Sequence, residues 1–219
     1  MIIDINSDIG EGMDSQESLM PYLTSVNIAC GGHAGDESTM KLSVEQATRH
    51  GLKIGAHPGY PDKANFGRLE LNMPLTEVEQ FVYQQICALA AFTTIVHVKP
   101  HGALYNQAAN NAALARAIAR GTAGFSRNVT LVGLAGSLML SVFAEEGFDV
   151  SAEAFADRRY EADGSLRSRK FADALITDPQ EAAAQAQKLA ESGLAQTICI
   201  HSDTPGATLI AAAVAKALR

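Results

Sequence analysis

Short apolar, β-rich runs alternate along the chain with longer stretches of helical periodicity. In the helical stretch Leu75–Phe92, for example, the apolar residues recur every three or four positions. Each return to the same edge of a parallel sheet needs a crossover of about a dozen residues or more, so the alternation predicts a parallel α/β fold. The predicted strands are Ile2–Ile9, Ser25–Cys30, Lys53–His57, Ile95–Lys99, Val129–Leu134, Asp149–Phe155 and Thr197–His201.

Several local signals predict where the helices begin and end. Thr76 with Glu79 predicts a capping box at the start of the helix just described. Asp178-Pro179 predicts a cap followed by proline at the first helical position, and Gly193 suits the far end of that helix. Thr204-Pro205 predicts the start of the last helix in the same way.

We favour a seven-stranded (β/α) barrel over a doubly wound open sheet. The usual nucleotide fingerprints of open sheets, G-x-G-x-x-G after the first strand and G-x-x-x-x-G-K-[ST], do not occur in the sequence. The 219 residues fit one domain, 1–219, and contain no repeat or linker. The long polar loop Arg158–Lys170 is predicted to be a functional lid.

Composition narrows the class of protein. Apolar residues make up 47% and charged residues 19%, which argues against disorder. The net charge of −7 disfavours nucleic acid or a membrane surface as a partner, and we interpret the basic pairs Arg158-Arg159 and Arg169-Lys170 as solvated loop charges. No apolar run reaches the roughly 18 residues of a membrane helix, and a signal peptide is not expected. Three cysteines without paired spacing predict reduced thiols and a cytoplasmic location.

Polar residues and histidines gather at the ends of six predicted strands. The C-terminal ends of parallel strands meet at one rim, where ligands bind, so we expect these side chains to share a site. A single histidine is as often structural as functional, but six strand ends behaving alike indicate a site. The predicted catalytic residues are Asp8, Glu11, His57, Lys99, His101, His201 and Asp203. The predicted substrate-binding residues are Asn6, Asn27, His33, Asp36, Arg68, Tyr105, Asn106 and Arg158.

The fourth strand carries a line of basic groups. Side chains alternate with period two along a strand, which places His97, Lys99 and His101 on the face that points into the barrel. Val96 and Val98 are then expected to face the helices. Arg68, in the string Phe66-Gly67-Arg68, is expected either to clamp an anionic group or to form a surface salt bridge.

Two kinds of chemistry fit these residues. An aspartate on the first strand with histidines at later strand ends is a workable ligand set for a divalent ion that activates water for amide hydrolysis. The metal-free alternative is an acid–base site in which histidine or aspartate transfers protons and Lys99 neutralises an oxyanion or phosphate. The residues alone leave both alternatives open.

Eight motifs occur in order along nearly the whole chain. They are N-x-D-x-G-E-G (Asn6 to Gly12), N-I-A-C-G-G-H-A-G-D (Asn27 to Asp36), G-A-H-P-G-Y-P-D (Gly55 to Asp62), F-G-R (Phe66 to Arg68), H-V-K-P-H-G-A-L-Y-N (His97 to Asn106), F-A-D-R-x-Y (Phe155 to Tyr160), D-G-S-L (Asp163 to Leu166) and H-x-D-x-P (His201 to Pro205). With these strings the chain resembles the LamB/YcsF family.

The resemblance implies an irregular (β/α) barrel of the glycoside hydrolase/deacetylase type. It also implies the role of the A subunit in an ATP-dependent 5-oxoprolinase, which opens the lactam of 5-oxo-L-proline to L-glutamate together with subunits B and C. By position in related barrels, Asp8, His57 and His101 are the implied ligands of a divalent metal, Mg or Zn. On this basis we hypothesise that Lys99 and His101 stabilise negative charge developing on the lactam.

Two alternative functions remain open: a metal-dependent deacetylase or amidohydrolase that acts alone, and a non-catalytic subunit that binds substrate. The chain departs from the family pattern in its short connections at Phe92–Ile95 and Ser192–Gln196, and in Ser202, where glycine is common. The short connections are expected to affect closure of the rim and docking of other subunits.

Overall fold

Seven parallel strands close into a barrel in the order of the sequence. The computed structural model describes residues 3–12, 16–162 and 164–219. Ile2 of the first predicted strand and Asp163 of the D-G-S-L string lie outside the described residues. The strands are β1 (Asp4–Ile9), β2 (Ser25–Ala29), β3 (Lys53–His57), β4 (His97–Val98), β5 (Thr130–Leu134), β6 (Val150–Phe155) and β7 (Thr197–Cys199). The predicted fold class, a seven-stranded (β/α) barrel, is confirmed.

Helices surround the barrel and cover the apolar outer face of its strands. The described chain forms α1 (Gln16–Leu19), α2 (Glu37–Arg49), α3 (Leu75–Ala90), α4 (Gly102–Ala108), α5 (Ala112–Phe125), α6 (Leu138–Glu145), α7 (Pro179–Glu191) and α8 (Ala207–Leu218), with 3₁₀ turns at Met20–Tyr22 and Lys63–Asn65. The buried apolar residues form one core cluster, which lies between the helices and the barrel. None of the described helices is both long and apolar enough to cross a membrane.

The barrel closes where β1 pairs with β7, and Asp4 lies opposite Thr197. The two shortest strands, β4 with two residues and β7 with three, are the strands that follow the short connections. The expected effect of those connections on closure is therefore not observed. The short connections are accommodated by short strands in a barrel that is complete.

One predicted helix start is confirmed and two are wrong. Asp178 caps α7, because its carboxylate accepts a hydrogen bond from the Glu181 backbone N–H at 2.8 Å. The capping box at Thr76 does not form, since α3 begins one residue earlier, after Pro74, without a side-chain cap. Thr204 does not cap α8 either, because its hydroxyl donates to Asp157, and the helix begins after Gly206 in the left-handed region (φ 78°).

The interior of the barrel is unusually polar. Asn27 Nδ2 donates to Asn6 Oδ1 at 2.8 Å, Asn6 Nδ2 donates to Thr197 Oγ1 at 2.7 Å, and His97 Nε2 lies 2.8 Å from Asn27 Oδ1. Gly55 makes room for this layer, since a Cβ there would overlap the His97 ring. Interiors of such barrels are commonly filled by branched apolar side chains, so a hydrogen-bonded interior indicates that polar groups are needed above it.

The predicted orientations along β4 are partly confirmed. Val98 is fully buried in the apolar core outside the barrel, as expected. Val96 is 41% exposed, and the expectation that it faces the helices is wrong. The strand begins only at His97, so Val96 lies before it, beside a second cavity of about 370 Å³ that Asp4 and Asn6 also line.

Candidate active site

A cavity of about 580 Å³ lies at the C-terminal ends of the strands. It lies between the ends of β1, β3, β4, β6 and β7, the start of α4, and the polar loop that follows β6. Eleven of the predicted site residues line it: Asp8, Glu11, His57, Arg68, Lys99, His101, Tyr105, Asn106, Arg158, His201 and Asp203. The structure thus brings together every residue that we predicted to be catalytic.

Four predicted substrate-binding residues do not line this cavity. Asn6 and Asn27 belong to the buried polar layer nearer the N-terminal ends of the strands, because they precede the C-terminal end of their strands by two residues or more. Asp36 is exposed and caps α2, accepting from the Thr39 backbone N–H at 2.9 Å. His33 is buried behind His101. The structure therefore gives Asn6, Asn27 and Asp36 structural roles in place of substrate contacts.

Two histidine rings face each other at the base of the cavity. His57 Nε2 lies 3.0 Å from His101 Nδ1. The other nitrogen of each ring lies against a backbone carbonyl, His57 Nδ1 at 2.7 Å from Lys99 O and His101 Nε2 at 2.9 Å from Phe66 O. A carbonyl only accepts, so both outer nitrogens carry a proton. The two inner lone pairs then face each other, an arrangement that requires a cation between them, either a proton or a metal ion.

Glu11 closes the same centre. Its Oε1 lies 2.9 Å from His33 Nε2, 3.4 Å from His101 Nδ1 and 3.9 Å from His57 Nε2. The His33 ring stacks on His101 with centroids 3.5 Å apart. Burial lowers the pKa of His33 to about 2, so this ring is neutral at physiological pH and donates from Nε2 to Glu11. Burial also raises the pKa of Glu11, which moves its titration toward neutral pH.

These groups fit a divalent metal ion. Glu11, His33, His57 and His101 each offer a ligand atom, and the four atoms lie within 4.8 Å of one another. Ligands about 2.0–2.1 Å from a tetrahedral ion are about 3.3 Å apart, close to the separations just given. The outer hydrogen bonds of His57 and His101 to carbonyls are those usual for metal-bound histidines. The donor group includes Glu11, which the resemblance did not imply.

Asp8 lies beside this centre and is also part of a second one. Its Oδ2 is 3.4 Å from His57 Nε2, while its Oδ1 accepts from Lys99 Nζ at 2.9 Å and from Asn27 Nδ2 at 2.8 Å. Burial alone would raise the pKa of Asp8, but His57 and Lys99 lower it well below its ordinary value. Asp8 is therefore ionised and holds His57 in its protonated or metal-bound form.

Lys99 is buried beneath the centre and is fully engaged. Its Nζ lies 2.9 Å from Asp8 Oδ1, 2.8 Å from Glu153 Oε1 and 3.2 Å from Cys199 Sγ. Burial alone would lower the pKa of Lys99, but these neighbours raise it well above its ordinary value. Three acceptors occupy its three N–H groups, so the hypothesis that Lys99 itself stabilises an oxyanion is wrong in that form. Lys99 instead keeps two carboxylates ionised.

Glu153 is a site residue missing from our predicted set. It is fully buried on β6 and accepts from Tyr105 Oη at 2.9 Å and from Asn6 Nδ2 at 3.1 Å. These contacts connect the polar layer of the barrel to the wall of the cavity. A glutamate between alanines within an apolar strand is itself a signal of a paired buried charge, and it could have identified this residue.

His201 and Asp157 form a dyad on the β6–β7 side. His201 Nδ1 lies 3.0 and 3.1 Å from the two carboxylate oxygens of Asp157, which also accepts from the His201 backbone N–H at 3.1 Å. Burial alone would raise the pKa of Asp157, but His201 and these hydrogen bonds lower it, so Asp157 is ionised. The His201 ring packs parallel to Phe155. Its Nε2 is left as the nitrogen that can exchange a proton with a bound molecule.

The polar loop after β6 is tied to the rim by Asp203. Arg169 binds both carboxylate oxygens of Asp203, at 2.7 and 3.2 Å, and Arg68 Nη2 binds one of them at 2.7 Å. Of the two alternatives for Arg68, the salt bridge is therefore the one observed. Burial alone would raise the pKa of Asp203, but these arginines lower it. The interpretation of Arg158 and Arg169 as solvated charges is wrong, because both line the cavity.

Comparison with known proteins identifies the family. The model of the LamB/YcsF family matches residues 3–219. The chain belongs to this family. It is 46% identical over 240 residues to the 5-oxoprolinase A subunit of Chloroflexus aurantiacus, covering 100% of this chain and 95% of the relative. It is 44% identical over 223 residues to the protein of the same name from Shouchella clausii, covering 92% and 88%.

Solved structures support the same family and fold. A lactam utilization protein from Thermus thermophilus superposes with a TM-score of 0.92 and 37% identity, covering 100% of this chain and 96% of that one. A family 4 carbohydrate esterase from Streptomyces lividans shares the fold alone, with a TM-score of 0.53 and 14% identity over 99% of this chain and 86% of that one. The predicted likeness to deacetylase and glycosidase barrels is thus confirmed at the level of the fold.

Proposed function

We propose that the chain is the A subunit of an ATP-dependent 5-oxoprolinase and that its cavity holds the lactam while the ring is opened to L-glutamate. The observation that carries this proposal is the convergence of Glu11, His57 and His101 with the Asp157–His201 dyad on one cavity. The names of the 41–46% identical relatives supply the reaction. In the proposal, ATP is hydrolysed by the assembly of this chain with subunits B and C.

Opening a lactam requires two proton transfers, and two groups are placed for them. Water attacks the ring carbonyl and must lose a proton, while the ring nitrogen must gain one before it leaves. Glu11, whose pKa burial raises, is the base that we assign to the water. His201, held by Asp157 with Nδ1 protonated, is the acid that we assign to the ring nitrogen. Lys99 and Asp8 position His57 from below.

A divalent ion held by Glu11, His57 and His101, with Asp8 beside them, would polarise the lactam carbonyl and lower the pKa of a bound water. Imidazole donors suit zinc, whereas magnesium prefers an all-oxygen shell, so of the two expected metals this donor set favours zinc. Without a metal, the proton shared by His57 and His101 would leave the same two rings as the hydrogen-bonding face of the centre.

The proposal is tested by reconstitution. The purified chain is combined with subunits B and C, and L-glutamate formed from 5-oxo-L-proline and ATP is measured with and without the chain. Glutamate that depends on all three subunits and on ATP supports the proposal. Amide hydrolysis by the chain alone, without ATP, would favour a metal-dependent amidohydrolase, which the metal-binding geometry also fits. Lactam binding without any turnover would favour a non-catalytic binding subunit.

A further inference from the structure

One wall of the cavity is strongly basic although the chain as a whole carries a net charge of −7. Among the lining residues, the loop after β6 contributes Arg158, Arg169 and Lys170, and Arg68 reaches the same wall through its bond to Asp203. Asp203 is the carboxylate among these lining residues that compensates them, and it binds Arg68 and Arg169. Arg158 therefore has no carboxylate paired with it on this wall.

Two buried donors on this wall are incompletely satisfied. Arg158 is only 8% exposed; its Nη2 donates to the Arg167 carbonyl at 2.7 Å, but its Nε has no partner within the described part of the chain. Ser202 is 4% exposed, and its Oγ likewise has no partner among the described residues. Buried donors are nearly always paired, so each such group in a cavity wall points to a ligand that pairs it.

The electrostatic surroundings of Arg158 indicate the sign of that ligand. Burial lowers the pKa of the Arg158 guanidinium, and the neighbouring Arg169 lowers it further. An arginine that is buried and lies next to another cation is stabilised by an anion. A guanidinium and a hydroxyl are donors that suit an oxyanion, and the planar fork of arginine matches a carboxylate in particular.

We propose that Arg158 and Ser202 form a subsite for the carboxylate of the substrate, and that this subsite orients the lactam carbonyl toward the centre of Glu11, His57 and His101. The inference deepens the proposed function and rests on it for the identity of the lactam. A phosphate group of a nucleotide has the same oxyanion chemistry. We favour the carboxylate because Arg68 and Arg169 are already engaged by Asp203, which leaves few donors for a polyphosphate.

The test compares two lactams that differ only in the carboxylate, 5-oxo-L-proline and 2-pyrrolidinone. Binding of each to the purified chain is measured by calorimetry for the wild type, Arg158→Gln, Arg158→Lys, Ser202→Ala and the control Arg159→Gln. Arg159 is the adjacent arginine and pairs with Glu181 at 2.7 Å on the exposed side. Arg158→Gln is expected to weaken 5-oxo-L-proline binding about 10- to 100-fold and to leave 2-pyrrolidinone within about twofold. Arg158→Lys should lose less, Ser202→Ala about threefold or more, and Arg159→Gln nothing.

Other results would overturn the subsite. Equal affinity of the wild type for the two lactams excludes a carboxylate subsite, and so does an equal loss for both lactams in Arg158→Gln. If Arg158→Gln weakens inorganic phosphate or ATP but not 5-oxo-L-proline, the subsite binds phosphate. Thermal unfolding checks each variant, and Arg158→Lys with Ser202→Ala decides the matter if Arg158→Gln does not fold. Failure of the proposed function is distinguished separately, as absence of glutamate from the wild-type assembly.

Discussion

Lys99 is held between two buried carboxylates, Asp8 and Glu153, and this arrangement makes a sharp prediction. Lys99→Met should lower the free energy of unfolding by about 3–5 kcal/mol, because it leaves two carboxylates buried without their cation. The double variant Lys99→Met/Glu153→Gln should recover part of that loss, since one of the two charges is removed with it. Urea unfolding monitored by circular dichroism measures both. An unchanged stability in Lys99→Met would contradict the ion-pair network.

His97 predicts a pH dependence of stability. Burial lowers its pKa to about 4, with Lys99 and His57 lowering it and Asp4 opposing the shift. The unfolded chain, with a histidine pKa near 6.5, binds more protons than the native state between these values, so stability falls as the pH falls from about 6.5 to 4. His97→Gln removes this contribution and retains a donor for Asn27. Wild-type stability relative to the variant should drop by about 3 kcal/mol between pH 7 and pH 4, measured by urea unfolding. A constant difference would show that His97 titrates normally.

At this scale the residues of the site were largely predictable, but their partners were not. The strand ends identify Asp8, His57 and His101 because parallel strands converge on one rim. The same pattern predicts Asn6 and Asn27 at that rim, yet they lie deeper in the barrel because depth along a strand depends on its register with its neighbours. The engagement of Lys99 depends on Glu153, which is distant in sequence, and no local pattern reports that contact.

At the level of elements, the loop after β6 is predicted to owe its position to Asp203. Asp203→Asn removes the charge that binds Arg68 and Arg169, so the loop should lose its attachment to the rim. Hydrogen exchange of the backbone amides in residues 166–175 should then become about tenfold faster or more. The control is Glu181→Gln, which removes the exposed Arg159 salt bridge and should leave that exchange unchanged. Equal exchange in wild type and Asp203→Asn would contradict this role.

The same elements show which local signals can be overridden. Asp178 caps its helix as predicted because nothing else competes for its carboxylate. Thr204 carries a similar signal, but the ionised Asp157 beneath it is a stronger acceptor for its hydroxyl than an unpaired helix end is a donor. The signal at Thr76 failed for a different reason, because the helix starts after Pro74 and places Thr76 within its first turn. Such outcomes depend on tertiary contacts or on a shift of one residue.

At the level of the whole molecule, the barrel separates two kinds of polar surroundings. The neutral hydrogen-bonded layer of Asn6, Asn27 and Thr197 lies within the strands, and the charged groups lie above it at their C-terminal ends. The alternation of strands and helices predicted this architecture, because right-handed parallel crossovers leave few alternatives. The sequence did not predict the basic wall of the cavity, since Arg158, Arg169 and Asp203 meet only after the loop has folded over the rim.

The central claim is that lactam opening takes place at the histidine and carboxylate centre of this cavity. The most direct measurement is kcat for glutamate formation in the assembly of all three subunits, with His57→Gln compared with His50→Gln. His50 is exposed at the end of α2, outside the cavity, and serves as the matched control. We predict a loss of about 100-fold or more for His57→Gln and a change of less than about twofold for His50→Gln. Equal activity of the two variants would contradict the claim.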